Sequence, residues 1–499
     1  MVAGQHGKKG YFKVSEKQVL NLIAGEAKPA HTGQYFDKHS PHDGRLLWQV
    51  ARSNAQDILA AVQIAHVAQP VWAATPAVQR GAMLYRACAI LEAERERIAE
   101  VVAVETGKSR KDALGETDGA IALGRFFAGE GQRLYGRTTT SGMVNRHAMT
   151  VRQPCGVAAL IAAANTPIAN VAWKAFPALI CGNAAVIKAA EDTPMTAFVF
   201  AEALLRGGVP PGVLNVVQGL GQEAGAPLIE TAEVDVISFT GSTAVGRWIG
   251  EVAGRRLIKV SLELGGKNPF VVCDDADLDN AVHWACLSAF SNAGQRCAAG
   301  SRILVFDAVY DEFVRRMVDA VSRLRLGPGD GDDLGPVING KQMDRMLSSV
   351  ETARANGARI LCGGHRLMDP SHANGFYMAP TLIDQVDPAS EISTCELFGP
   401  ISTLYRVRDF AEALRMSNDS HYGLTAAIHT ANIDRAMQFV HGVRAGVAIV
   451  NAGTYGSEPH MPFGGVKQSG NGSREPGTEA VDVYTELKDI YINVLPNRV

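Results

Sequence analysis

The order of apolar and polar positions divides the chain into a helical segment and two segments in which strands and helices alternate. Residues 54–131 carry apolar side chains at helical spacing, and Asn54 is a candidate N-cap for the first helix. A long charged helix is predicted over 76–104. From residue 151 onwards, short apolar runs bounded by polar and glycine-rich turns indicate strands joined by helices.

This alternation predicts parallel sheets covered by helices, the α/β fold class. Ligands of such sheets bind beyond the carboxyl ends of the strands, where the polar residues follow. The first series of strands is predicted at 156–164, 184–190, 213–219 and 235–241, with a helix at 193–205. The second series runs from residue 268 to about 470, with strands at 269–275, 302–306 and 446–451.

Two outlying segments, 137–152 and 481–494, also have the alternation of strands. An isolated pair of strands is only marginally stable unless it packs against something else. We therefore expect these segments to form a small β arm that joins subunits into a homo-oligomer.

Composition excludes several classes of protein. With 46% hydrophobic residues, 20% charged residues and a net charge of -3, the chain has no basic excess for binding nucleic acid. The longest apolar run, 157–164, is too short to span a bilayer. The eight cysteines form no CxxC pair and no histidines have zinc spacing, so a reducing compartment and no metal are expected. Residues 1–14 lack the apolar core of a secretion signal, which favours a cytoplasmic location.

Two glycine-rich turns are candidates for binding the phosphates of a nucleotide. GLGQEA (219–224) fits the dinucleotide pattern G-x-G-x-x-A, but no acidic residue ends the next strand, as that pattern requires. In FTGSTAVG (239–246), free N–H groups and the Ser242 hydroxyl begin a helix and could hold a pyrophosphate. We favour the second turn, and a purely structural role for the first is about as probable as a binding role.

Three side chains are candidates for catalysis. In LELGGKNP (262–269), Glu263 lies in an apolar strand, where burial would raise its pKa and make it a general base. In SNAGQRCAAGSR (291–302), Cys297 lies in a turn of small residues, where backbone N–H groups and Arg296 would lower its pKa. In AANTPIAN (163–170), the Asn165 amide ends a strand and could stabilise an oxyanion.

Each of these residues also has a structural interpretation. Glu263 could form an internal ion pair, Cys297 could pack in the core, and Asn165 could form an Asx turn before Thr166 and Pro167. Locally the structural interpretation is preferred for Glu263 and Asn165. The small residues around Cys297 leave room for a substrate, which favours a functional role for the thiol.

The motifs nevertheless occur together in one order: AANTP, IKAAE, FTGSTAVG, LELGGK, GQRCAAGSR, ELFGP and PFGGVKQSGNG. In this order they resemble the aldehyde dehydrogenase superfamily over nearly the whole chain, from residue 58 to residue 493. The most specific pair is LELGGK and GQRC, which places Glu263 and Cys297 34 positions apart. The sequence departs from the family pattern at one place. Ala163 and Ala164 precede Asn165 where the family commonly has proline and tryptophan, which affects the expected shape of the site wall near Asn165.

The resemblance implies a role for each matching residue. Cys297 would attack the aldehyde, Asn165 with the backbone N–H of Cys297 would hold the oxyanion, and Glu263 would activate the hydrolytic water. Lys188 would bind a ribose and belong to the catalytic set. The remaining residues implied in cofactor binding are Glu191, Gly241, Ser242, Gly246, Glu396 and Phe398.

The resemblance also implies two Rossmann-like lobes plus the β arm, assembled into a homodimer or homotetramer. The NAD-binding domain would comprise 1–136 and 153–264, the catalytic domain 265–478, and the arm 137–152 and 479–499. Glu191 should repel a 2′-phosphate, so NAD+ is favoured over NADP+.

The substrate is less well determined than the reaction. By resemblance, two arginines in the pocket would suit an anionic tail, such as the carboxylate of a semialdehyde. An internal salt bridge of Arg296 is a slightly preferred alternative. The residues expected to line the pocket are Arg125, Trp173, Arg296, Tyr455, His460 and Phe463.

Three functions are alternatives to a hydrolytic aldehyde dehydrogenase. A CoA-acylating dehydrogenase would transfer the thioester to CoA, but it needs no water-activating base such as Glu263. A silent scaffold is disfavoured because Cys297, Glu263, Asn165 and Lys188 are all present. A thiol esterase would not require Lys188 or the 239–246 turn, so it is expected only as a side activity.

Overall fold

The computed structural model describes residues 17–496. The segment 1–14, used above to predict the location, and the last three residues of the predicted arm lie outside that range. The helices are α1 Ala55–Ala74, α2 Ala77–Ala93, α3 Arg95–Thr106, α4 Arg110–Glu130, α5 Pro167–Ile180, α6 Pro194–Arg206, α7 Ala226–Glu230, α8 Thr243–Arg256, α9 Leu278–Phe290, α10 Asp307–Ser322, α11 Gly340–Ala355, α12 Glu391–Thr394, α13 Phe410–Asn418, α14 Ile433–Gly442 and α15 Ala480–Tyr484.

The strands within the described residues form four sheets. In chain order they are β1 Gln18–Val19, β2 Asn21–Ile23, β3 Glu26–Lys28, β4 Tyr35–His39, β5 Leu46–Ala51, β6 Thr138–Thr139, β7 Arg146–Pro154, β8 Val157–Ile161, β9 Ala184–Lys188, β10 Leu214–Val217, β11 Val236–Thr240, β12 Lys259–Glu263, β13 Asn268–Val272, β14 Gly300–Phe306, β15 Arg359–Cys362, β16 Thr381–Asp384, β17 Ile401–Val407, β18 Thr425–His429, β19 Val447–Val450 and β20 Thr485–Asn493.

The first large sheet has seven strands in the order β12-β11-β8-β9-β10-β2-β3. The five strands from β12 to β10 are parallel, and β2 and β3 add to the edge in antiparallel pairing. Successive residues point to opposite faces, so Ala158 and Leu160 pack under α2 to α6 while Val157 and Ala159 pack under α1, α7 and α8. Burial on both faces explains why these strands are continuously apolar in the sequence.

The second large sheet also has seven strands, in the order β15-β16-β17-β14-β13-β18-β19. All are parallel except β15, which pairs antiparallel with β16. Phe270 and Val272 face α9 and α10, whereas Val271 faces the side covered by α11, α13 and α14. The two sheets confirm the predicted α/β class and draw their strands from 21–263 and 268–450.

Two smaller sheets complete the fold. One joins β1, β5 and β4 near the start of the described chain. The other is the predicted arm, in which β20 pairs antiparallel with β7 over nine residues and β6 adds a short third strand. The C-terminal part of the arm begins later than predicted, because the expected strand at 481–484 belongs to α15.

The helical segment also differs from its prediction in one place. The Asn54 side chain accepts from the backbone N–H of Gln56, which confirms the predicted N-cap of α1. The single helix predicted over 76–104 is wrong, since α2 ends at Ala93 and α3 begins at Arg95. No local glycine or proline signals this break, and buried residues of both helices pack into the same core on one face of the first sheet.

Within 17–496, no single helix is long and apolar enough to cross a membrane. The pair α1 and α2 meets the same length and composition test only when taken together, and the two helices are bent by 115° at their junction.

Candidate active site

Asn165, Glu263 and Cys297 lie together in one cavity of about 300 Å³ between the two large sheets. Asn165 follows β8 and Glu263 ends β12, so both lie at the carboxyl edge of the first sheet. Cys297 lies in the loop between α9 and β14 of the second sheet. The three side chains, far apart in the chain, therefore meet where the two sheets face each other.

The loop that carries Cys297 has an unusual backbone. Asn292, Ala293 and Gly294 all have left-handed conformations, with φ values of 55°, 52° and 66°. This conformation costs roughly 1–2 kcal/mol for a residue such as alanine. Buried Asn268 holds the following turn, because its amide donates to the carbonyl oxygens of Cys297 at 2.7 Å and Ala299 at 2.9 Å.

The thiol of Cys297 is half-buried and lines the cavity. Burial raises the pKa of this thiol to about 12, and the carboxylates of Glu396 and Glu263 act in the same direction. The backbone N–H groups of Ala298 and Cys297 lower the pKa but do not outweigh burial. The sequence-based expectation of a lowered pKa is therefore wrong for this structure, because burial, supported by two acidic side chains, outweighs the backbone N–H groups and no cation of the described chain opposes it.

The Asn165 amide is held in place by the same loop. Its Nδ2 donates to the carbonyl oxygen of Gln295 at 3.0 Å, which uses one of its two N–H groups. The second N–H group is available to an oxygen in the cavity. The backbone oxygen of Asn165 accepts from Lys108 and Asn292, so both the side chain and the peptide of Asn165 are held in place.

Glu263 is buried, and neither carboxylate oxygen has a hydrogen-bond partner among the described residues. Burial raises its pKa well above the ordinary value, and the like charge of Glu475 raises it further. Lys174 and Arg474 oppose this shift more weakly. An internal ion pair, the alternative from sequence, is not formed within 17–496. A buried, unpaired carboxyl group is typical of a general base.

The structure reveals a buried network that sequence reasoning missed. Lys174 donates to Glu475 at 2.9 Å and to Ser238 at 2.8 Å, and both Ser238 and Tyr484 donate to Glu475. The network joins α5, β11 and the C-terminal region behind Glu263. A lysine inside the apolar helix 167–180 was the only available sequence signal, because a buried lysine needs a partner.

The same cavity also contains the predicted cofactor residues Gly241, Ser242, Glu396 and Phe398. Ser242 is the N-cap of α8, so free N–H groups and the positive end of the helix dipole face the cavity. Glu396 accepts from the backbone N–H of Gly266 at 3.1 Å, and burial raises its pKa to about 7.

Lys188 and Glu191 do not line the cavity, although the adjoining residue Asp192 does. The Lys188 ammonium is buried, makes no hydrogen bond within the described chain, and lies 3.9 Å from Glu191. Burial lowers the pKa of Lys188 to about 8. The Glu191 carboxylate accepts from the backbone N–H of Gly221 at 2.5 Å, which places the first glycine-rich turn beside it.

Gly246 occupies a different position from the one expected. It is buried inside α8, and a Cβ atom there would lie 2.4 Å from the Leu264 side chain. Its small size is therefore required for packing of α8 on Leu264, the residue after β12, and the structure does not bring it to the cavity.

A second cavity of about 490 Å³ adjoins the first and shares Thr166 and Trp173 with it. Arg296 lines this cavity, which we call the mouth cavity, with its guanidinium 4.6 Å from the ring centre of Tyr455. Its Nε is buried without a partner, and no carboxylate within 17–496 pairs with it. The ring of Phe463 packs edge-on against Trp173 and lines the inner cavity.

Two other predicted pocket residues lie elsewhere. Arg125 is about half exposed on α4 and pairs with Glu92 of α2 at 2.5 Å, outside both cavities. It is directed outwards because the inner face of α4 carries the apolar residues. His460 is 57% exposed and lies 3.6 Å from Glu458.

Comparisons with known proteins agree with this architecture. The model of the aldehyde dehydrogenase family matches residues 28–490. The chain is 37% identical over 476 residues to the alpha-ketoglutaric semialdehyde dehydrogenase of Bacillus subtilis (strain 168), covering 95% of this chain and 98% of that protein. It is 36% identical over 475 residues to the succinate-semialdehyde dehydrogenase (NADP(+)) GabD of Escherichia coli (strain K12), with 95% and 97% covered.

A solved structure gives the same result for the fold. Betaine aldehyde dehydrogenase from Staphylococcus aureus, in complex with NAD+, superimposes with a TM-score of 0.93 at 31% identity, covering 96% of each chain. Fold and site together define an oxidoreductase of the α/β class. The chain belongs to the aldehyde dehydrogenase family and is an NAD(P)+-dependent aldehyde dehydrogenase.

The acidic surroundings of Cys297 lead to a testable prediction. Replacing Glu396 by Gln removes the negative charge with the larger effect on Cys297, so the pKa of Cys297 should fall. At pH 8.5, alkylation of Cys297 by iodoacetamide in the cofactor-free enzyme should accelerate about threefold or more, as measured by peptide mass spectrometry. The exposed Glu391→Gln variant serves as a control with the same loss of charge. An unchanged alkylation rate in E396Q would contradict the electrostatic assignment.

Proposed function

We propose that the enzyme oxidises an aldehyde to the carboxylic acid through a covalent intermediate on Cys297. The observation that carries this proposal is the meeting of a thiol, an amide with an unused N–H group and an unpaired buried carboxyl group in one cavity. Each of these groups suits one step of the reaction. None of them requires a metal ion.

In the first half-reaction, the Cys297 sulfur attacks the carbonyl carbon and a thiohemiacetal forms. The oxyanion accepts hydrogen bonds from Asn165 Nδ2 and the backbone N–H of Cys297, which stabilises charge in a site shielded from water. Because the thiol has a raised pKa, its proton must pass to a water molecule as the sulfur–carbon bond forms. Oxidation of the thiohemiacetal then leaves a thioester on Cys297.

In the second half-reaction, Glu263 takes a proton from a water molecule, which attacks the thioester and releases the acid. Its raised pKa favours proton uptake near neutral pH. The Lys174–Glu475 ion pair lies close to Glu263, and both of its charges affect the pKa of Glu263.

The residues present fit a nicotinamide dinucleotide. The N-terminus of α8 faces the cavity, and the buried Lys188 ammonium has hydrogen-bonding capacity that the described chain does not use. Bound NAD(P)+ supplies the oxidant that the thiohemiacetal needs. Lys188 would hold a ribose hydroxyl, Ser242 and the N-terminus of α8 the pyrophosphate, and Glu396 the second ribose, with Phe398 at its side.

Replacement of the base tests the order of steps. In Glu263→Gln, acylation should proceed while hydrolysis slows about a hundredfold or more, so NADH should appear as a burst of one equivalent per site. Stopped-flow absorbance measures the burst, and Glu251→Gln on the surface of α8 is the control. Equal steady-state rates for E263Q and the unchanged enzyme would contradict the role. Restoration of turnover by added CoA would instead favour the CoA-acylating alternative.

We propose NAD+ as the preferred cofactor. The hydrogen bond from Gly221 keeps the Glu191 carboxylate close to Lys188, where it would repel a 2′-phosphate. Glu191→Gln should raise kcat/KM for NADP+ about tenfold relative to that for NAD+. Steady-state kinetics with both cofactors measure this ratio, with Glu251→Gln as the control. A higher kcat/KM with NADP+ in the unchanged enzyme would refute the preference.

We propose that the substrate is a semialdehyde with an anionic tail. The unpaired Arg296 in the mouth cavity supports this, as do the semialdehyde dehydrogenases among the relatives. Arg296→Met should raise KM for succinic semialdehyde about tenfold to a hundredfold and leave KM for butanal unchanged. Arg125→Met, which loses an arginine outside both cavities, should change neither. Equal effects of R296M on both aldehydes would refute the anionic tail.

We propose that the arm joins subunits into a homodimer or homotetramer. Leu487, Tyr491 and Ile492 of β20 are 63%, 59% and 47% exposed, which is unfavourable for a strand pair in water. Sedimentation of the full chain should show an oligomer at micromolar concentration. A stable monomer would contradict the proposal.

A further inference from the structure

A buried ion pair lies directly behind the loop that carries Asn165. Nζ of Lys108 and Oε2 of Glu116 are 2.5 Å apart, and the two side chains are 3% and 6% exposed. Lys108 lies between α3 and α4, and Glu116 lies in the second turn of α4. A buried ion pair seldom stabilises a fold more than apolar packing would, so the other contacts of the two side chains are informative.

Lys108 holds the peptide of Asn165. Its ammonium donates to the backbone oxygen of Asn165 at 2.8 Å, in addition to its contact with Glu116. The only other donor to this oxygen within the described chain is the Asn292 amide, at 3.2 Å. The charged donor makes the shorter contact, and charge-assisted hydrogen bonds are the stronger kind.

Glu116 holds the start of α5, which begins two residues after Asn165. Its Oε1 accepts from the backbone N–H groups of Ile168 at 3.0 Å and Ala169 at 3.2 Å. These are the first free N–H groups of the helix, because Pro167 has none. The N-cap residue Thr166 does not cap the helix itself, since its hydroxyl accepts from Asn170.

Each member of the pair thus fixes one end of the segment between Asn165 and α5. We propose that Lys108 and Glu116 are positioning residues that orient the Asn165 amide towards the oxyanion. The inference rests on the role proposed above for Asn165. The helix α4 contributes no side chain to the inner cavity. According to this inference, α4 nevertheless affects the rate of the reaction.

Two variants break the pair in different ways. Lys108→Met removes the donor to Asn165 and leaves Glu116 able to cap α5. Glu116→Gln retains an oxygen for the cap but can place an amide N–H group against the Lys108 ammonium. In both variants, kcat should fall about tenfold while KM for the aldehyde changes less than twofold, because a displaced oxyanion donor affects the transition state more than the bound substrate.

Lys108 and Glu116 also line the mouth cavity, so a direct contact with the substrate tail has to be distinguished. Such a contact would raise KM for the semialdehyde and leave KM for butanal unchanged. That pattern, with kcat unchanged, would overturn the proposal.

A double-mutant cycle with Asn165→Ala provides the decisive measurement. If Lys108 acts through Asn165, K108M should lower kcat about tenfold in the unchanged enzyme and less than twofold when Asn165 is already alanine. Independent, multiplicative effects would overturn the proposal. Full activity of N165A alone would instead refute the proposed role of Asn165 and, with it, this inference.

A stability control separates positioning from general loosening of the fold. Met317→Ala creates a cavity on the buried face of α10, away from both cavities of the site. Its melting temperature should fall at least as far as that of K108M or E116Q, with kcat retained. M317A could lose as much kcat per degree of lost melting temperature as K108M and E116Q lose. In that case the loss of kcat reflects general destabilisation, and the proposal fails. Should K108M not fold, E116Q with N165A completes the cycle.

Discussion

The site depends on keeping the Glu263 carboxyl group out of water without giving it a partner. Burial and the nearby Glu475 raise its pKa, which converts an ordinary carboxylate into a base that can take up a proton near neutral pH. The same low-polarity cavity raises the pKa of Cys297, so the proposed nucleophile and the proposed base are both costly groups to bury. The apolar cores on both faces of the two large sheets are extensive, and their burial offsets the free energy lost by burying these two groups.

The surrounding structure limits the movement of the reactive groups. Asn268 holds the Cys297 turn, the amide of Asn165 is tied to Gln295, and Lys108 and Glu116 hold the segment behind it. These contacts come from side chains whose hydrogen-bonding groups are directed at backbone atoms. They fix the peptide positions, while the Glu263 carboxylate oxygens stay unpaired and one N–H group of Asn165 stays unused.

Much of the fold could be predicted because its signals are local. The N-cap at Asn54, the apolar strands of both series and the turn at Ser242 follow from nearest neighbours in the sequence. The break between α2 and α3 could not be predicted, because packing on the sheet decides it and no residue at the junction forbids a helix. The late start of β20 has the same origin, since α15 is stabilised by burial of its apolar side chains.

The sequence by itself determined the α/β class and the family resemblance, and it singled out Cys297, Glu263 and Asn165 as candidates, because these follow from periodicity and from short motifs. Only the tertiary structure decided the electrostatics and the contacts of the charged side chains. It directs Arg125 outwards, leaves Arg296 unpaired, and pairs Lys174 with Glu475 and Lys108 with Glu116. The physical reason is that a pKa or an ion pair depends on side chains brought together from distant parts of the chain. A local sequence pattern contains no information about how close such side chains lie in the folded protein.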